Sequence, residues 1–101
     1  MKKIVVVLCA LLSQYTFAEP SAEKQTEIRT MLKNNCSACH GVTLQGGMGP
    51  SLKPETLANK PDELLVSTIL NGRKNTAMPS WKAFMNEDEI KWLVGILKSG
   101  H

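Results

Sequence analysis

The run Cys36-Ser37-Ala38-Cys39-His40 constrains this chain more than any other stretch. Two cysteines three positions apart share one face of a helical turn, so both sulfurs can reach the same edge of a flat ligand. His40 follows directly and can bring its imidazole beneath the centre of that ligand. Cys-x-x-Cys-His is the attachment signature of c-type haem, in which the thiols add to the vinyl groups and the histidine ligates iron. Two other uses of a cysteine pair fit less well. A thioredoxin-type redox pair lacks the following histidine and sits near a βαβ pattern. A zinc site would want four ligands, and the chain has no second cysteine pair.

Residues 1–18 have the layout of a secretory signal peptide, with Lys2 and Lys3, an apolar run from Ile4 to Leu12, and Thr16-Phe17-Ala18 as a small-residue exit. Residues 19–101 are then expected to form one domain in the periplasm, with no stable membrane insertion after cleavage. The apolar run is short against the ~20 residues of a spanning helix, and an uncleaved anchor is the alternative. Cys9 follows Leu8 inside that run and reads as a small hydrophobe lost with the leader.

The leader also carries most of the net positive charge. Without Lys2 and Lys3, 10 basic residues face 9 acidic ones. A nucleic-acid partner needs clustered Lys and Arg on a distinctly basic domain, so that class is excluded. Only Cys36 and Cys39 are then left as thiols. A secreted chain this small usually supplements a thin core with disulfides or a metal group, so this one is expected to fold around one covalent haem c.

The remaining pattern predicts an all-α chain. Ser21 can cap a helix running to about Asn35, with Ile28, Met31 and Leu32 on one face. Gly41 to Lys53 is a glycine-rich loop, and Pro54 starts a short turn. Pro61 suits a first helical position and Gly72 the C-terminal cap of a helix whose inner face is Leu64, Leu65, Thr68 and Ile69. Arg73 to Lys82 is an extended loop. Asn86 and Glu89 form a capping box for a last helix with the stripe Ile90, Leu93, Val94 and Leu97, ended by Gly100. No sustained alternation predicts a sheet.

A six-coordinate iron needs a ligand opposite His40. The candidates are Met31, Met48, Met78, Met85 and His101. Met31 is on the helix leading into the cysteines, Met85 abuts the last helix, and His101 is the chain end. Met78 precedes Pro79, which biases it to extended backbone and lets its side chain project from a loop. It is the expected ligand, with Met48 between its glycine neighbours as the alternative. A His/Met pair raises the potential and leaves no open coordination position, which suits electron transfer rather than catalysis.

Cys36-Ser37-Ala38-Cys39-His40-Gly41, Gly49-Pro50-Ser51-Leu52, Ala77-Met78-Pro79-Ser80-Trp81 and the amphipathic stretch Glu89 to Leu97 resemble a class I cytochrome c across the whole mature chain. The resemblance implies a small all-α fold wrapped around one covalently bound haem, with the first and last helices crossing. It also implies that the Pro50 carbonyl accepts the Nδ1–H of His40. Ile28 and Ile96 stand where the family usually crosses a glycine on an aromatic ring. Leu44-x-Gly46-Gly47-x-Gly49-Pro50, Gly72-Arg73, Met78-Pro79-x-Trp81 and Glu87-Asp88-Glu89-Ile90-x-Trp92-Leu93-Val94 resemble, more narrowly, the monohaem cytochromes of the NirC type. These are encoded with the cd-type nitrite reductase of denitrifying bacteria. That likeness implies a periplasmic electron donor to nitrite reductase, or a maturation factor for its haem d.

A peroxidase would need a distal Arg/His pair, and the mature chain has only His40 and His101 as histidines. Trp81 and Trp92 are expected to pack the haem pocket, with the Trp81 indole N–H within reach of a propionate. Val42, Leu44 and Met48 are the expected apolar rim of an exposed haem edge where a redox partner docks, packing of Val42 and Leu44 on the haem being the alternative. Arg73 and Lys74 read as a solvated face. A monomer is expected.

Overall fold

The computed structural model describes residues 18–100. The leader expected over residues 1–18, Ala18 apart, lies outside the described residues, as does His101. The elements are α1 (Ala22–Met31), a π-helical turn (Leu32–Cys36), α2 (Ser37–His40), α3 (Pro54–Leu57), α4 (Asp62–Asn71) and α5 (Glu87–Ser99). The described chain is all-α, with no strand among the described residues.

Ser21 stands in extended backbone and its hydroxyl accepts the Lys24 N–H at 3.2 Å, with Glu23 at the positive end of the helix dipole. The helix does not stop near Asn35. It passes through the π-helical turn, where the Ser37 N–H reaches the Leu32 carbonyl five residues back, and continues to His40. The Ser37 hydroxyl also donates to the Lys33 carbonyl, closing the same turn from the side. Cys36, Cys39 and His40 therefore stand on the end of one continuous helical stem.

Helix α4 begins one position later than expected, with Pro61 as its extended N-cap and Asp62 and Glu63 in the first turn. Its buried face also differs. Val66 is buried, Leu65, Ile69 and Leu70 pack partly against the core, and Leu64 is 54% exposed. The cause is α5, the helix most closely packed on α4. Its apolar stripe takes the face centred on Val66, Ile69 and Leu70 and leaves Leu64 outside.

Helix α5 is the centre of the core. Asn86 Oδ1 accepts the Glu89 N–H at 2.9 Å and Glu89 Oε1 accepts the Asn86 N–H at 2.8 Å, so both orphan donors are satisfied. Ile90, Leu93, Val94 and Leu97 are buried, and Gly100 ends the helix in the left-handed region. Ile28 from α1, Leu57 from α3, Val66 from α4 and Met85 close around that stripe. Ile28, Ile90 and Val94 are the largest fully buried side chains. Ile96 does not join Ile28 in this cluster. It is half-buried and lines a small cavity of about 130 Å³ with Leu32, Leu44 and Leu52.

Polar ties reinforce the same assembly. Lys98 Nζ donates to Asp62 Oδ1 and to the Lys60 carbonyl, each at 2.6 Å, fastening the end of α5 to the start of α4. The Arg29 guanidinium lies 5.4 Å from the ring centre of Trp92, and Lys24 Nζ donates to the Phe84 carbonyl at 3.0 Å. These two bring α1 against the chain at and before α5. No helix of the described residues is long and apolar enough to cross a membrane.

Ile90 is fully enclosed, so Ile90→Ala should cost roughly 2–5 kcal/mol and Ile90→Val about 0.5–1.5. Equilibrium denaturation of the haem-loaded protein checks the ordering. Equal effects of the two variants would place Ile90 outside the core.

Candidate metal centre

His40 ends α2 where the chain must turn back under its own imidazole. Gly41 makes the turn at φ +99°, a conformation that L side chains rarely adopt. The loop is then tied to the end of α2. The Gly46 N–H donates to the His40 carbonyl at 2.7 Å and the Gly49 N–H to the Cys39 carbonyl at 2.8 Å. These bonds bring the Pro50 carbonyl to 2.7 Å from His40 Nδ1. A carbonyl can only accept, so Nδ1 carries the proton and Nε2 of the neutral ring keeps its lone pair.

Gly49 is needed for close approach. A Cβ there would stand 2.8 Å from His40 Cε1 and 2.9 Å from Nδ1, closer than real Cβ contacts come. The glycine run thus forms a backbone wall flat against the imidazole.

Cys36 and Cys39 are free thiols, both half-buried. Burial, and then the neighbouring Cys39, push the Cys36 thiol up. A redox-active cysteine pair needs the reverse, a thiol pulled down towards the thiolate. The direction of that shift gives no support to a thioredoxin-type use of the pair.

Met78 belongs to a second cluster, built on the end of α4. A helix leaves its last carbonyls without partners, and here the returning chain supplies them. Ser80 Oγ donates to the Leu70 carbonyl at 2.6 Å and the Trp81 N–H to the Ile69 carbonyl at 3.0 Å. Gly72, at φ +75°, lies so close that a Cβ would stand 2.7 Å from the Pro79 carbonyl carbon and 2.8 Å from the Met78 oxygen. Between them, the Arg73 N–H donates to the Met78 carbonyl at 3.1 Å, and the Met78 N–H to Thr76 Oγ1 at 3.2 Å. Met78 itself is half-buried.

The other candidates fall elsewhere. Met85 is buried, Met31 packs partly on the core, and Met48 is 81% exposed in the loop behind His40. Trp81 is half-buried against the core with its ring centre 5.7 Å from that of Phe84, and Trp92 is half-buried beneath Arg29. Val42 is 89% exposed, but Leu44 turns inward on a positive φ and its carbonyl accepts the Leu52 N–H at 2.9 Å. Val42, Leu44 and Met48 therefore do not form one exposed rim. Arg73 and Lys74 are exposed. Sequence reasoning missed Thr76, and it read Gly72 only as a cap; neither contact has a local signal.

The donor chemistry of the first cluster fits an iron porphyrin. Two thiols share the face of a helical end, followed by an imidazole with a fixed tautomer and a free lone pair. That set defines a c-type haem site. Residues 23–95 match the family described as cytochrome c oxidase, cbb3-type, subunit III. Cytochrome c55X of Pseudomonas aeruginosa is 47% identical over 81 residues, which cover 80% of this chain and 68% of that one. The solved structure of a c-type cytochrome NirC superimposes with a TM-score of 0.79 at 45% identity, covering 81% of this chain and 96% of that chain. A second solved structure, dihydro-heme d1 dehydrogenase NirN in complex with DHE, gives a TM-score of 0.62 at 31% identity. That match covers 69% of this chain but 15% of the other. The chain belongs to the cytochromes c, and its cofactor is covalent haem c. Both of the relatives matched over most of their length are named as cytochromes.

Gly49→Ala should push the His40 ring off its wall and cost roughly 1–3 kcal/mol, as overpacking does. The check is thermal unfolding of the haem-loaded variant together with the ratio of haem to polypeptide in purified material. A variant unchanged in both would mean that the loop yields freely and does not fix the ring.

Proposed function

We propose that this chain is a periplasmic one-electron carrier whose iron is held by His40 and Met78, and which donates electrons to a cd-type nitrite reductase. When bound, the haem supplies a one-electron couple in which no bond need form or break. The observation that carries the reading is His40. Its Nδ1–H is committed to the Pro50 carbonyl, so Nε2 is left as a fixed neutral donor for a metal. Cys36 and Cys39, on the same stem, would tether the group by its vinyl carbons.

Met78 is the second ligand in this reading. Met48 is 81% exposed and flanked by Gly47 and Gly49, in the loop that packs on the His40 ring itself. Met78 sits in a separate, backbone-pinned loop after α4. A thioether is a soft donor and favours the reduced iron. His40 and Met78 would together hold the iron, and the chain's own side chains would then exclude water, oxygen and peroxide from it.

Periplasmic location rests on the Lys2-Lys3 leader and the small-residue exit at Ala18, with residues 19–101 as the mature cytochrome domain. Nitrite reductase as partner rests on the likeness to NirC and cytochrome c55X.

A second reading is supported by one observation. The match to part of a dihydro-heme d1 dehydrogenase suggests work in haem d maturation, as a carrier for electrons released there or as an assembly partner. The two readings use the same site and differ in their partner.

Met78→Ala should abolish a weak ferric absorption near ~700 nm that reports sulfur on iron, leaving covalent haem in place. Reduced protein mixed with purified nitrite reductase should be oxidised on the timescale of turnover. Sluggish oxidation, with haem d missing from the reductase of a deletion strain, would favour maturation instead.

A further inference from the structure

We infer that Thr76 is the positioning residue that keeps Met78 on the iron and foreign ligands off it. The inference rests on the reading of Met78 as the second ligand. Three hydrogen bonds close a ring in the loop between residues 73 and 78. The Thr76 hydroxyl donates to the Arg73 carbonyl at 2.7 Å, the Met78 N–H donates to Thr76 Oγ1 at 3.2 Å, and the Arg73 N–H donates to the Met78 carbonyl at 3.1 Å. Thr76 Oγ1 is at once donor and acceptor, so it polarises both neighbours in the ring. It is also the one side-chain atom in that ring, the other groups being backbone.

The ring has a firm footing on one side only. Gly72 packs against the Met78 and Pro79 backbone without room for a Cβ, and Ser80 and Trp81 bond to the Leu70 and Ile69 carbonyls of α4. Those contacts hold the segment from its C-terminal side. From the N-terminal side, Asn75 at φ +64° turns the chain sharply, the Thr76 N–H closes the turn on the Arg73 carbonyl at 3.2 Å, and Thr76 Oγ1 is the side-chain group that ties the turn to the Met78 N–H. Without the hydroxyl, the backbone of Met78 loses its N–H partner and the loop can swing about its anchor at Gly72. The bond between iron and sulfur would then open more often.

Imidazole is the probe. It binds ferric iron by displacing the thioether, so an iron–sulfur bond breaks as an iron–nitrogen bond forms, with no change of oxidation state. Its affinity for the ferric holoprotein reads the ease of Met78 departure. Losing one exposed hydrogen bond of ordinary strength should raise that affinity about fivefold in Thr76→Val. Thr76→Ser, which keeps the hydroxyl, should match the parent. Thr76→Ala serves if the valine variant does not accumulate. Asn86→Ala, which removes the remote cap of α5 and lowers overall stability, should leave imidazole affinity unchanged.

An unchanged affinity in Thr76→Val, with Met78→Ala lacking its sulfur band, would overturn the role of Thr76 while leaving the ligand in place. An equal rise in Asn86→Ala would also overturn it, since general loosening would then explain the effect. A sulfur band that survives in Met78→Ala would refute the ligand itself and the inference with it.

Discussion

The hydrogen bond between His40 Nδ1 and the Pro50 carbonyl, at 2.7 Å, is the contact on which the site depends. It converts a histidine with two interchangeable nitrogens into one with a single lone pair aimed by the backbone. Every glycine around it serves that geometry. Gly41 lets the chain reverse, and Gly49 lets it lie against the ring, where any side chain would collide. The donors of Gly46 and Gly49 are spent on the carbonyls of His40 and Cys39, so the wall is tied to the stem that it serves. A loop that reads as structureless in composition is therefore among the most closely bonded parts of the molecule.

The end of helix α4 solves a different problem. Helix α4 must end, and the groups it leaves without partners are satisfied by the segment that carries Met78. The cap of α4 and the loop that carries Met78 are thus one piece of chain. Helix α5 gives both parts a common reference, since α3 and α4 pack on it and Ile28 of the cysteine-bearing stem enters the same buried cluster. The energetics follow the same division. Buried aliphatic side chains on α5 each contribute about 1.5–3 kcal/mol, whereas the exposed ion pairs such as Lys91 with Glu87 at 3.6 Å add little.

Chemistry that is local in sequence was legible, and chemistry that depends on distant neighbours was not. Cys36, Cys39 and His40 read as one unit because their spacing is itself the geometry. The capping box of Asn86 and Glu89 was visible for the same reason. The buried face of α4 was misread because Leu64, Leu65, Val66, Ile69 and Leu70 cover most of its circumference, so only the partner helix decides which side is inside. Asn34 and Asn35 looked like a helix end, yet the π-helical turn carries the chain onward. The ring around Thr76 needs a turn whose direction Asn75 sets, and nothing in residue type announces that closure.

The π-helical turn between Ile28 and Cys36 makes the stem a gauge counted in residues. Ile28 is locked in the core at one end and the thiols are presented at the other. A helix advances about 100° per residue, so one residue more or fewer in this stretch would swing both sulfurs a quarter-turn away from the porphyrin edge. The extra residue that widens the turn is thus a matter of phase. The lineage of this chain could vary Lys33, Asn34 and Asn35 in kind, but hardly in number.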